Sequence, residues 1–565
     1  MLITGAELIA RCLITNGITH AFNVPGVGIH PLLDALKRHH GSIRYLTGPS
    51  ETAVGLMADG FGRATGRPAF VNLYHASGTA LAFMGLTTAW ADRSPMLFTT
   101  TTGSRRLERR DQYATVPGDI TEATRQFTKW SWEVPMAERI PEAIARATLI
   151  ASTPPMGPVH LAFPMDLYTE EVDEEVVAAL APMARPDRLR LFREAPADPA
   201  GIAAAVGLLR EARRPLLVAG GDVTQLRAVP ALVALAEALS APVMSEPYVA
   251  YLGFPNDHPL YAGRFSPASP VVQEADVVLV AGAEFTASTP TSTLPPETAK
   301  VIFLSPDLLD FGKQIWADVG LLGHPAATLR ALAESLAADG RSPERLSWAA
   351  EHGSARQVRL GKVARQGREE TPVRVPRLID EVQAAFGDDA ILVDHSTTGT
   401  AYMLDLCRLG DPSRYFGISA RASAQGWGLP AAIGIQLAVP DRRVVVVVGD
   451  GGFMFTGNSL HAAALWKAPV VVIVLRNGGW HDVAQGARAN RGWTEAELSS
   501  FGWLADPPVD YVGFARSLGV AGLRVERVED LAPALQAARD AACPMLIEVN
   551  TDPGAVDYYI DWTRR

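Results

Sequence analysis

One stretch of the chain, residues 442–480, limits the possible folds more than any other. It contains two runs of apolar, mostly β-branched residues, Val444–Val448 and Val470–Leu475. Unbroken runs of this kind are typical of strands that are covered on both faces, as in parallel sheets. The stretch therefore predicts two neighbouring buried strands joined by a crossover, which is the repeating unit of an α/β fold.

Glycines and a segment of helical composition lie between the two predicted strands. Gly449, Gly451 and Gly452 predict a tight turn and would let a ligand approach the backbone closely. Asn458–Lys467 has the composition of a helix. The free amides of its first turn would face that ligand, which suits a phosphate group.

Two oxygen ligands stand at the ends of the predicted strands. Asp450 follows the first run and Asn477 follows the second, 27 residues further on. Open α/β sheets bind ligands at the carboxyl ends of their strands, and Mg²⁺ takes a few protein oxygens together with phosphate oxygens. The sequence therefore predicts a magnesium site formed by Asp450, Asn477 and the backbone carbonyl of Gly479, completed by a diphosphate. The alternative is that Gly-Asp-Gly-Gly is only a turn and Asn477 only a strand cap.

This arrangement resembles the thiamine-diphosphate-binding motif, which begins Gly-Asp-Gly and closes on Asn about one βα unit later. Arg476 stands where many members have a further Asn, but the liganding Asn is the second of that pair. Arg476 is therefore not expected to damage the site. The resemblance covers about residues 1–550 and implies an enzyme of the acetolactate synthase-like superfamily, most similar to the benzoylformate decarboxylases, with thiamine diphosphate and Mg²⁺ as cofactors.

The fold class that follows is α/β, with three doubly wound parallel-sheet domains. We expect a pyrimidine-binding domain at 1–170, a Rossmann-like middle domain at 196–335 and a diphosphate-binding domain at 371–555. Polar, charged connections are expected at 171–195 and 336–370. The middle domain lacks G-x-G-x-x-G, so we expect an empty structural domain rather than one that holds FAD or ADP.

Length and composition agree with this reading. A chain of 565 residues is too long for one core and suggests about three domains. The net charge of −10 argues against nucleic acid or an anionic membrane as a partner. Three scattered cysteines, Cys12, Cys407 and Cys543, suit a reducing cytoplasm. The N-terminal stretch lacks the pattern of a signal peptide, and no apolar run reaches membrane-spanning length. We therefore expect neither a signal peptide nor a transmembrane helix.

Glu51 is the central residue of the first domain. It is the first acid in the stretch SETAVGLMADG, at a predicted helix start, where an acid by itself would only complement the helix dipole. The resemblance implies more: in thiamine-diphosphate enzymes a glutamate here hydrogen-bonds the aminopyrimidine ring and drives its activation. Further along, Gly78-Thr79 predicts a turn that is followed by a helix through Trp90.

The resemblance also assigns the remaining cofactor contacts. The hydroxyl-rich segment Ser396-Thr397-Thr398-Gly399-Thr400 predicts a turn that opens a helix at Tyr402–Cys407. Hydroxyls and amides at a helix start suit a diphosphate, although an ordinary helix cap is an equal alternative on the residues alone. Gln425 takes the position of the side chain that wedges under the cofactor, where relatives usually have an apolar residue, and the Ser423 carbonyl takes the aminopyrimidine amine. The full set of expected cofactor-binding residues is Glu51, Thr397, Thr398, Ser423, Gln425, Asp450, Gly451, Gly452, Asn477, Gly479 and Trp480.

The proton-transfer residues depart from the benzoylformate decarboxylase pattern. Val27 replaces a serine, Tyr74-His75 replaces His-Ser, and no histidine stands in the middle-domain loop near Ala287–Thr289. Candidates for the missing acid and base are Tyr74, His75 and His481, with His30 as a further one. The alternative for His75 is a turn residue bonded to the backbone, and the alternative for His481 is a surface histidine.

The expected reaction is the non-oxidative decarboxylation of a benzoylformate-like 2-oxo acid through an enamine intermediate. The main alternative is a carboligase, a 2-hydroxyacyl (CoA) lyase or an acetolactate synthase-like enzyme that forms or cleaves a carbon–carbon bond. A cofactor-binding protein without turnover is a third possibility, and an NAD-dependent dehydrogenase ranks last. The resemblance implies a homodimer or homotetramer in which Glu51 and Asp450 of one site come from different subunits.

Overall fold

The computed structural model describes residues 1–106, 119–180, 191, 193–246, 249–284, 295–313, 315–419, 421–494, 496–497 and 504–552. The loop at Ala287–Thr289 lies outside these residues. So does all but the first residue of the C-terminal segment DPGAVDYYIDWTRR, which belongs to no recognised motif and could form a tail that closes over the site. No helix in these ranges is both long and apolar enough to cross a lipid bilayer.

The described residues form two compact units. The first unit comes from the segments Met1–Leu191, Ala422–Asp441 and Thr456–Ala468. The second unit comes from Phe192–Arg421, Arg442–Phe455 and Pro469–Arg565. Two short stretches of the predicted diphosphate-binding domain therefore pack with the first unit.

A six-stranded sheet, parallel throughout, forms the centre of the first unit. From edge to edge its strands are Arg44–Thr47, His20–Asn23, Ala69–Tyr74, Met96–Thr102, Pro158–Pro164 and Ser131–Glu133. Its helices are Gly5–Thr15, His30–Arg38, Glu51–Thr65, His75–Leu81, Phe83–Ala91, Ile120–Thr124, Ile140–Ser152, Glu174–Leu180, Gly428–Ala438 and Leu460–Leu465. A separate antiparallel pair joins Leu2–Thr4 to Glu171–Asp173, so part of the predicted connection at 171–195 is regular structure.

Two helices of the first unit pack unusually closely: the Glu51 helix (Glu51–Thr65) and the Gly434 helix (Gly428–Ala438). A Cβ added at Gly434 would lie 1.9 Å from the carbonyl oxygen of Met57. A Cβ at Gly60 would lie 2.2 Å from that of Ala431. The obstacle in each case is backbone, which cannot rotate aside, so glycine is required for its size.

We expect Gly434→Ala to destabilise the protein by at least about 2 kcal/mol, because the added methyl group must push the two helices apart. The matched control is Gly207→Ala, in the exposed face of the helix Pro199–Glu211, where nothing lies within 4 Å of an added Cβ. That change should stabilise by roughly 0.5–1 kcal/mol through the lower helix propensity of glycine. Thermal unfolding midpoints check both; equal midpoints would contradict the close packing.

A second prediction concerns His160, which is fully buried on the strand Pro158–Pro164. Burial lowers the pKa of its imidazole to about 3. Below its ordinary pKa the unfolded chain therefore binds a proton that the folded chain does not, so stability is lost as the pH falls. Relative to His160→Gln, the wild type should lose roughly 2 kcal/mol between pH 6.5 and 4.5. Unfolding of both proteins across this range measures it; parallel pH profiles would contradict the prediction.

The second unit contains two further six-stranded sheets, each parallel throughout. From edge to edge, the central sheet consists of Tyr261–Arg264, Val243–Ser245, Pro215–Ala219, Val277–Ala281, Lys300–Ser305 and Val319–Leu322. Its helices are Pro199–Glu211, Gly221–Gln225, Val229–Leu239, Pro270–Glu274 and Pro325–Leu336. Successive residues of one strand point to opposite faces of the sheet, and the neighbours Leu217 and Val218 belong to different buried clusters. Both faces of the sheet are therefore covered.

The third sheet carries the stretch from which the sequence analysis began. From edge to edge its strands are Tyr415–Phe416, Ile391–His395, Val444–Gly449, Val471–Arg476, Met545–Asn550 and Ala521–Val525. The helices in this part of the second unit are Val375–Phe386, Thr400–Leu406, Asp450–Thr456, His481–Arg491, Tyr511–Ser517 and Leu531–Asp540. Val444–Val448 is buried on both faces of the sheet, as its composition predicts. The predicted α/β fold with three parallel-sheet domains is confirmed; the domain boundaries stay predictions.

The charged segment at 336–370, predicted as a linker, is mostly one helix, Pro343–Arg365. Ser342 caps it by accepting the amide of Arg345. Arg356 makes it part of the core, because its buried guanidinium pairs with Asp405 at 3.3 Å and lies over the ring of Tyr261. The low apolar content that suggested a linker reflects a largely exposed helix face.

Candidate active site

The third sheet brings the predicted cation ligands together at a reversal of strand order. The chain leaves the strand Ile391–His395 to form the edge strand Tyr415–Phe416, then returns to form Val444–Gly449 on the other side. Ligands bind at such switch points, beyond the carboxyl ends of the strands. The hydroxyl-rich segment after His395 and the carboxylate of Asp450 therefore lie on either side of one crevice.

Asp450 is buried at the tip of its strand and is wrapped by the loop that follows the neighbouring strand. Its Oδ2 accepts the amides of Asn477 at 3.1 Å and Gly478 at 2.7 Å, and its Oδ1 accepts the amide of Gly451 at 2.8 Å. Burial raises the pKa of this carboxyl to about 6, although the amide hydrogen bonds act in the opposite direction. The structure thus places Asp450 and the Asn477 loop in direct contact, as the spacing predicted.

The glycine turn predicted after Val448 is wrong. The strand passes directly into the Asp450 helix (Asp450–Thr456), so Gly451 and Gly452 are helical. Only Leu460–Leu465 of the helix predicted at Asn458–Lys467 is α-helical, so the amides near the strand tip belong to the Asp450 helix.

The two glycines of the Asp450 helix are needed for closeness rather than for a turn. A Cβ at Gly451 would lie 2.9 Å from Nε1 of Trp480. One at Gly452 would lie 3.0 Å from Cδ2 of His395. The predicted cofactor residues Gly451, Gly452 and Trp480 are thus neighbours. His395 also lies at this site, although the sequence analysis did not predict it. Its position at the end of a strand, just before Ser396, is the sequence feature that could have indicated it.

The loop after the strand Val471–Arg476 holds the other predicted ligands. The side-chain oxygen of Asn477 accepts the amide of Gly479 at 3.3 Å. His481 begins the next helix, and its Nε2 lies 2.9 Å from the backbone oxygen of Asn477. This contact favours a structural role for His481 in shaping the loop. Arg476 pairs with Glu526 and Glu548.

Thr397 and Thr398 follow the strand Ile391–His395. The hydroxyl of Thr397 donates to the carbonyl oxygen of Ser396 at 2.8 Å, and Thr397 has a φ of 50°. Ser396 is itself fixed by Asp394, which accepts its amide and its hydroxyl. The predicted hydroxyl-rich turn is therefore a tightly bent loop, and the helix expected at Tyr402–Cys407 spans Thr400–Leu406.

These residues fit a divalent cation with a diphosphate. The donors are all oxygens: one buried carboxylate, one amide oxygen and backbone carbonyls. Among the described residues there is no group of three or more His, Cys, Asp or Glu side chains that would form an all-protein cage. Mg²⁺ is usually held by few side chains together with phosphate oxygens and water.

Glu51 lies in the first unit and is described there by itself. It is the first residue of its helix, which Ser50 caps by accepting the amide of Ala53. A Cβ added at Gly78 would lie 3.3 Å from Oε1 of Glu51. The turn predicted at Gly78-Thr79 is wrong, because both residues lie inside the His75 helix (His75–Leu81). Gly78 is small so that this helix can pass close to the Glu51 carboxylate.

Tyr74 and His75 mark the junction between the strand Ala69–Tyr74 and the His75 helix. His75 has a φ of 56°, is almost fully buried and meets the Tyr74 ring edge-on with 3.7 Å between centroids. Burial lowers the pKa of His75. A Cβ at Gly26 would lie 2.5 Å from Tyr74, so the loop of Gly26 covers this ring. His75 is the first residue of the helix that follows the strand. The further candidate His30 and the replaced position Val27 are exposed.

Ser423 and Gln425 are exposed residues of the first unit, in the loop before the Gly434 helix. Ser423 has a φ of 44°. Trp427 anchors this loop, since its indole donates to Asp59 at 2.7 Å. Asp59 also binds Arg63, which in turn binds Asp92. This buried network joins the Glu51 helix to the start of the Gly434 helix, and it was not predicted.

The middle domain shows what occupies its nucleotide-like turn. The buried carboxylate of Glu246 accepts the amides of Gly221 at 2.7 Å and Glu284 at 3.2 Å. Burial and the nearby charge of Glu284 raise the pKa of Glu246 well above its usual range. A protein carboxyl thus accepts an amide of the glycine turn, and the empty structural domain stays a prediction.

Comparisons with known proteins agree with this architecture. Three models of thiamine pyrophosphate enzymes match: the N-terminal TPP binding domain at 3–123, the central domain at 202–332 and the C-terminal TPP binding domain at 397–549. The benzoylformate decarboxylase of Pseudomonas aeruginosa is 32% identical over 545 residues, which cover 95% of this chain and 96% of the relative. The glyoxylate carboligase of Escherichia coli O157:H7 is 28% identical, covering 94% and 91%.

A solved structure, the thiamine diphosphate-dependent 4-hydroxybenzoylformate decarboxylase of Rhodococcus jostii RHA1, matches with a TM-score of 0.83. It is 28% identical, and the match covers 97% of this chain and 99% of that one. This chain belongs to the thiamine pyrophosphate enzyme family. The predicted resemblance, the enzyme class and the thiamine diphosphate cofactor are thereby confirmed; Mg²⁺ and the individual site residues stay predictions.

Proposed function

We propose that this enzyme is a thiamine-diphosphate- and Mg²⁺-dependent lyase that removes CO₂ from a benzoylformate-like 2-oxo acid without oxidation. Two relatives named above, from Pseudomonas aeruginosa and Rhodococcus jostii RHA1, are decarboxylases of such acids. The observation that carries the proposal is the close approach of Gly78 to Glu51, which leaves this half-buried carboxylate beside bare backbone.

When bound, thiamine diphosphate supplies a carbon nucleophile and an electron sink for the bond that breaks. In this proposal Glu51 holds a proton at the aminopyrimidine ring. Asp450, Asn477 and the carbonyl of Gly479 hold Mg²⁺, and the hydroxyls of Thr397 and Thr398 bind the diphosphate. Ser423, Gln425, Gly451, Gly452 and Trp480 complete the cofactor contacts. Tyr74, His75 and His481 remain the candidates for proton transfer to substrate.

A carboligase is the second candidate, and one observation favours it. Burial lowers the pKa of His75, which keeps its imidazole neutral and makes it a poor proton donor. An enzyme that protonates its intermediate slowly leaves time for attack on a second carbonyl. The glyoxylate carboligase relative is an enzyme of that kind.

The same proposal includes the oligomeric state of the enzyme and its location in the cell. Glu51 and Asp450 belong to different compact units of the chain. We propose a homodimer or homotetramer in which one chain supplies Glu51 and another supplies Asp450, working in the cytoplasm on a small 2-oxo acid. Dilution to monomer should then abolish activity, and a fully active monomer would contradict the shared site.

The test is to offer the purified protein benzoylformate, 4-hydroxybenzoylformate, pyruvate and glyoxylate with thiamine diphosphate and Mg²⁺. We expect CO₂ and the corresponding aldehyde, most rapidly from the aromatic acids. Acyloin in place of free aldehyde would favour the carboligase. No consumption of any of the four acids, and no covalent adduct by mass spectrometry, would refute both.

A further inference from the structure

A continuous line of buried polar side chains crosses the first unit. Thr79 Oγ1 lies 2.7 Å from Thr100 Oγ1, which lies 2.9 Å from His160 Nε2. His160 Nδ1 lies 2.7 Å from Thr124 Oγ1. All four side chains are almost fully buried. We call Thr79, Thr100, His160 and Thr124 the buried hydroxyl line.

Proton counting gives this line a direction. The hydroxyl of Thr79 donates its one hydrogen to the carbonyl oxygen of His75 at 2.9 Å, so it must accept from Thr100. Thr100 must then accept from Nε2–H of His160, whose Nδ1 accepts from Thr124. In this arrangement every hydrogen points towards His75. The opposite arrangement, in which Thr124 donates to the carbonyl oxygen of Thr121 at 3.1 Å, would cost the shorter bond to the carbonyl of His75. A single missing hydroxyl leaves a buried partner without its bond, which is costly in this apolar setting.

The line ends at a strained point of the backbone. His75 is left-handed, with a φ of 56°, at the start of a helix, a conformation that costs roughly 1–3 kcal/mol and persists only where the surroundings impose it. Its carbonyl is the group that Thr79 holds. One residue before Thr79 in the same helix is Gly78, which lies against the carboxylate of Glu51. The line thus fixes the helix that faces Glu51.

We propose that Thr79, Thr100 and His160 are positioning residues of this enzyme, which set the distance between the His75 helix and the carboxylate of Glu51. The inference rests on the proposed function in so far as Glu51 serves the reaction. None of the three side chains is required to touch substrate. They act through the backbone of His75 and Gly78.

Adjacent residues of one strand provide the test. Thr100 and Thr101 are both fully buried. The hydroxyl of Thr100 lies 2.7 Å from that of Thr79, and the hydroxyl of Thr101 lies 2.6 Å from that of Tyr168. Replacement of either threonine by valine would therefore leave one buried hydroxyl without this bond. Only Thr100 belongs to the line. We expect Thr100→Val to lower kcat about 10- to 100-fold with little change in KM, because a displacement of about 1 Å costs this much. Thr101→Val should stay within about threefold of wild type.

Two further measurements separate positioning from mere folding. Thr79→Val should behave as Thr100→Val does, whereas Thr79→Ser, which keeps the hydroxyl, should restore kcat. Amide hydrogen exchange across residues 75–81 should become at least about tenfold faster in Thr100→Val but not in Thr101→Val, since local opening follows the loss of local bonds.

The outcomes are distinct. Equal kcat and equal exchange in Thr100→Val and Thr101→Val would overturn the positioning role. Failure of Thr79→Ser to restore kcat would also overturn it. Failure of the wild type to consume any of the 2-oxo acids would refute the proposed function. Unchanged amide exchange at residues 75–81 in Thr100→Val would separately refute the link between the buried hydroxyl line and the His75 helix.

Discussion

Glu51→Gln is expected to lower the rate of 2-oxo acid consumption by about 100- to 10,000-fold, the range for loss of a positioned proton-transfer group. Glutamine keeps the size of the side chain beside Gly78 but cannot exchange a proton. Because Gln can still accept a hydrogen bond, binding of the cofactor should change far less than turnover. Steady-state kinetics at saturating thiamine diphosphate and Mg²⁺ measure the effect.

The control for Glu51→Gln is Glu142→Gln. Glu142 also lies in the first turn of its helix, Ile140–Ser152, where it pairs with Arg139. Its replacement should leave turnover unchanged, because this glutamate only serves the helix and a surface pair. Wild-type activity in Glu51→Gln would remove Glu51 from the chemistry. If no activity of any kind changed, a binding protein without turnover would become the better account.

The second large effect is expected at Asp450. In the presence of Mg²⁺, Asp450→Asn should weaken the binding of thiamine diphosphate by at least about 100-fold. Residues that only support a metal ligand contribute up to about 100-fold to metal affinity, so the loss of a direct ligand should cost at least as much. Asparagine removes the negative charge and turns an amide group towards backbone donors of Asn477 or Gly478, which the carboxylate now accepts. The loop that carries Asn477 would then move away, and two predicted ligands would be lost together.

Retention after gel filtration in Mg²⁺, followed by cofactor assay, measures this loss. Asp310→Asn is the matched control, since Asp310 is also buried in the second unit and accepts bonds from Ser305 and Lys313. That variant is expected to retain cofactor as the wild type does, whatever it costs in stability. Equal retention in Asp450→Asn and wild type would exclude Asp450 as a ligand of the cation.

The sequence was sufficient where a pattern has one physical meaning. An unbroken β-branched run such as Val444–Val448 is typical of a strand that is buried on both faces, and this one is such a strand. Once that strand and Val471–Arg476 are neighbours, Asp450 and Asn477 must share an edge, and the structure joins them by hydrogen bonds. The fold and this half of the candidate site could therefore be predicted together.

Glycine was the source of several errors, because it has two unrelated uses. At Gly78, Gly451 and Gly452 we predicted turns, yet all three are helical and are small because Glu51, Trp480 or His395 lies against them. Closeness between segments distant in the sequence leaves no local signal. The same holds for Gly434, whose reason is the carbonyl of Met57.

His75 shows why side-chain roles were harder still. The sequence places it after a strand, but its left-handed backbone and burial depend on Thr79 and on the hydroxyl line behind it. Thr100, Thr124 and His160 are far apart in the chain, and each has an ordinary strand or helix context. Only the three-dimensional arrangement shows that they form one line of hydrogen bonds.

Titration of thiamine diphosphate into the purified, metal-free wild-type protein tests the central claim most directly. With Mg²⁺ present we predict saturable binding of one cofactor per chain, and without a divalent cation we predict binding too weak to saturate. Absence of binding in both conditions, or equal binding with and without the cation, would contradict a diphosphate held through Mg²⁺ by Asp450 and Asn477.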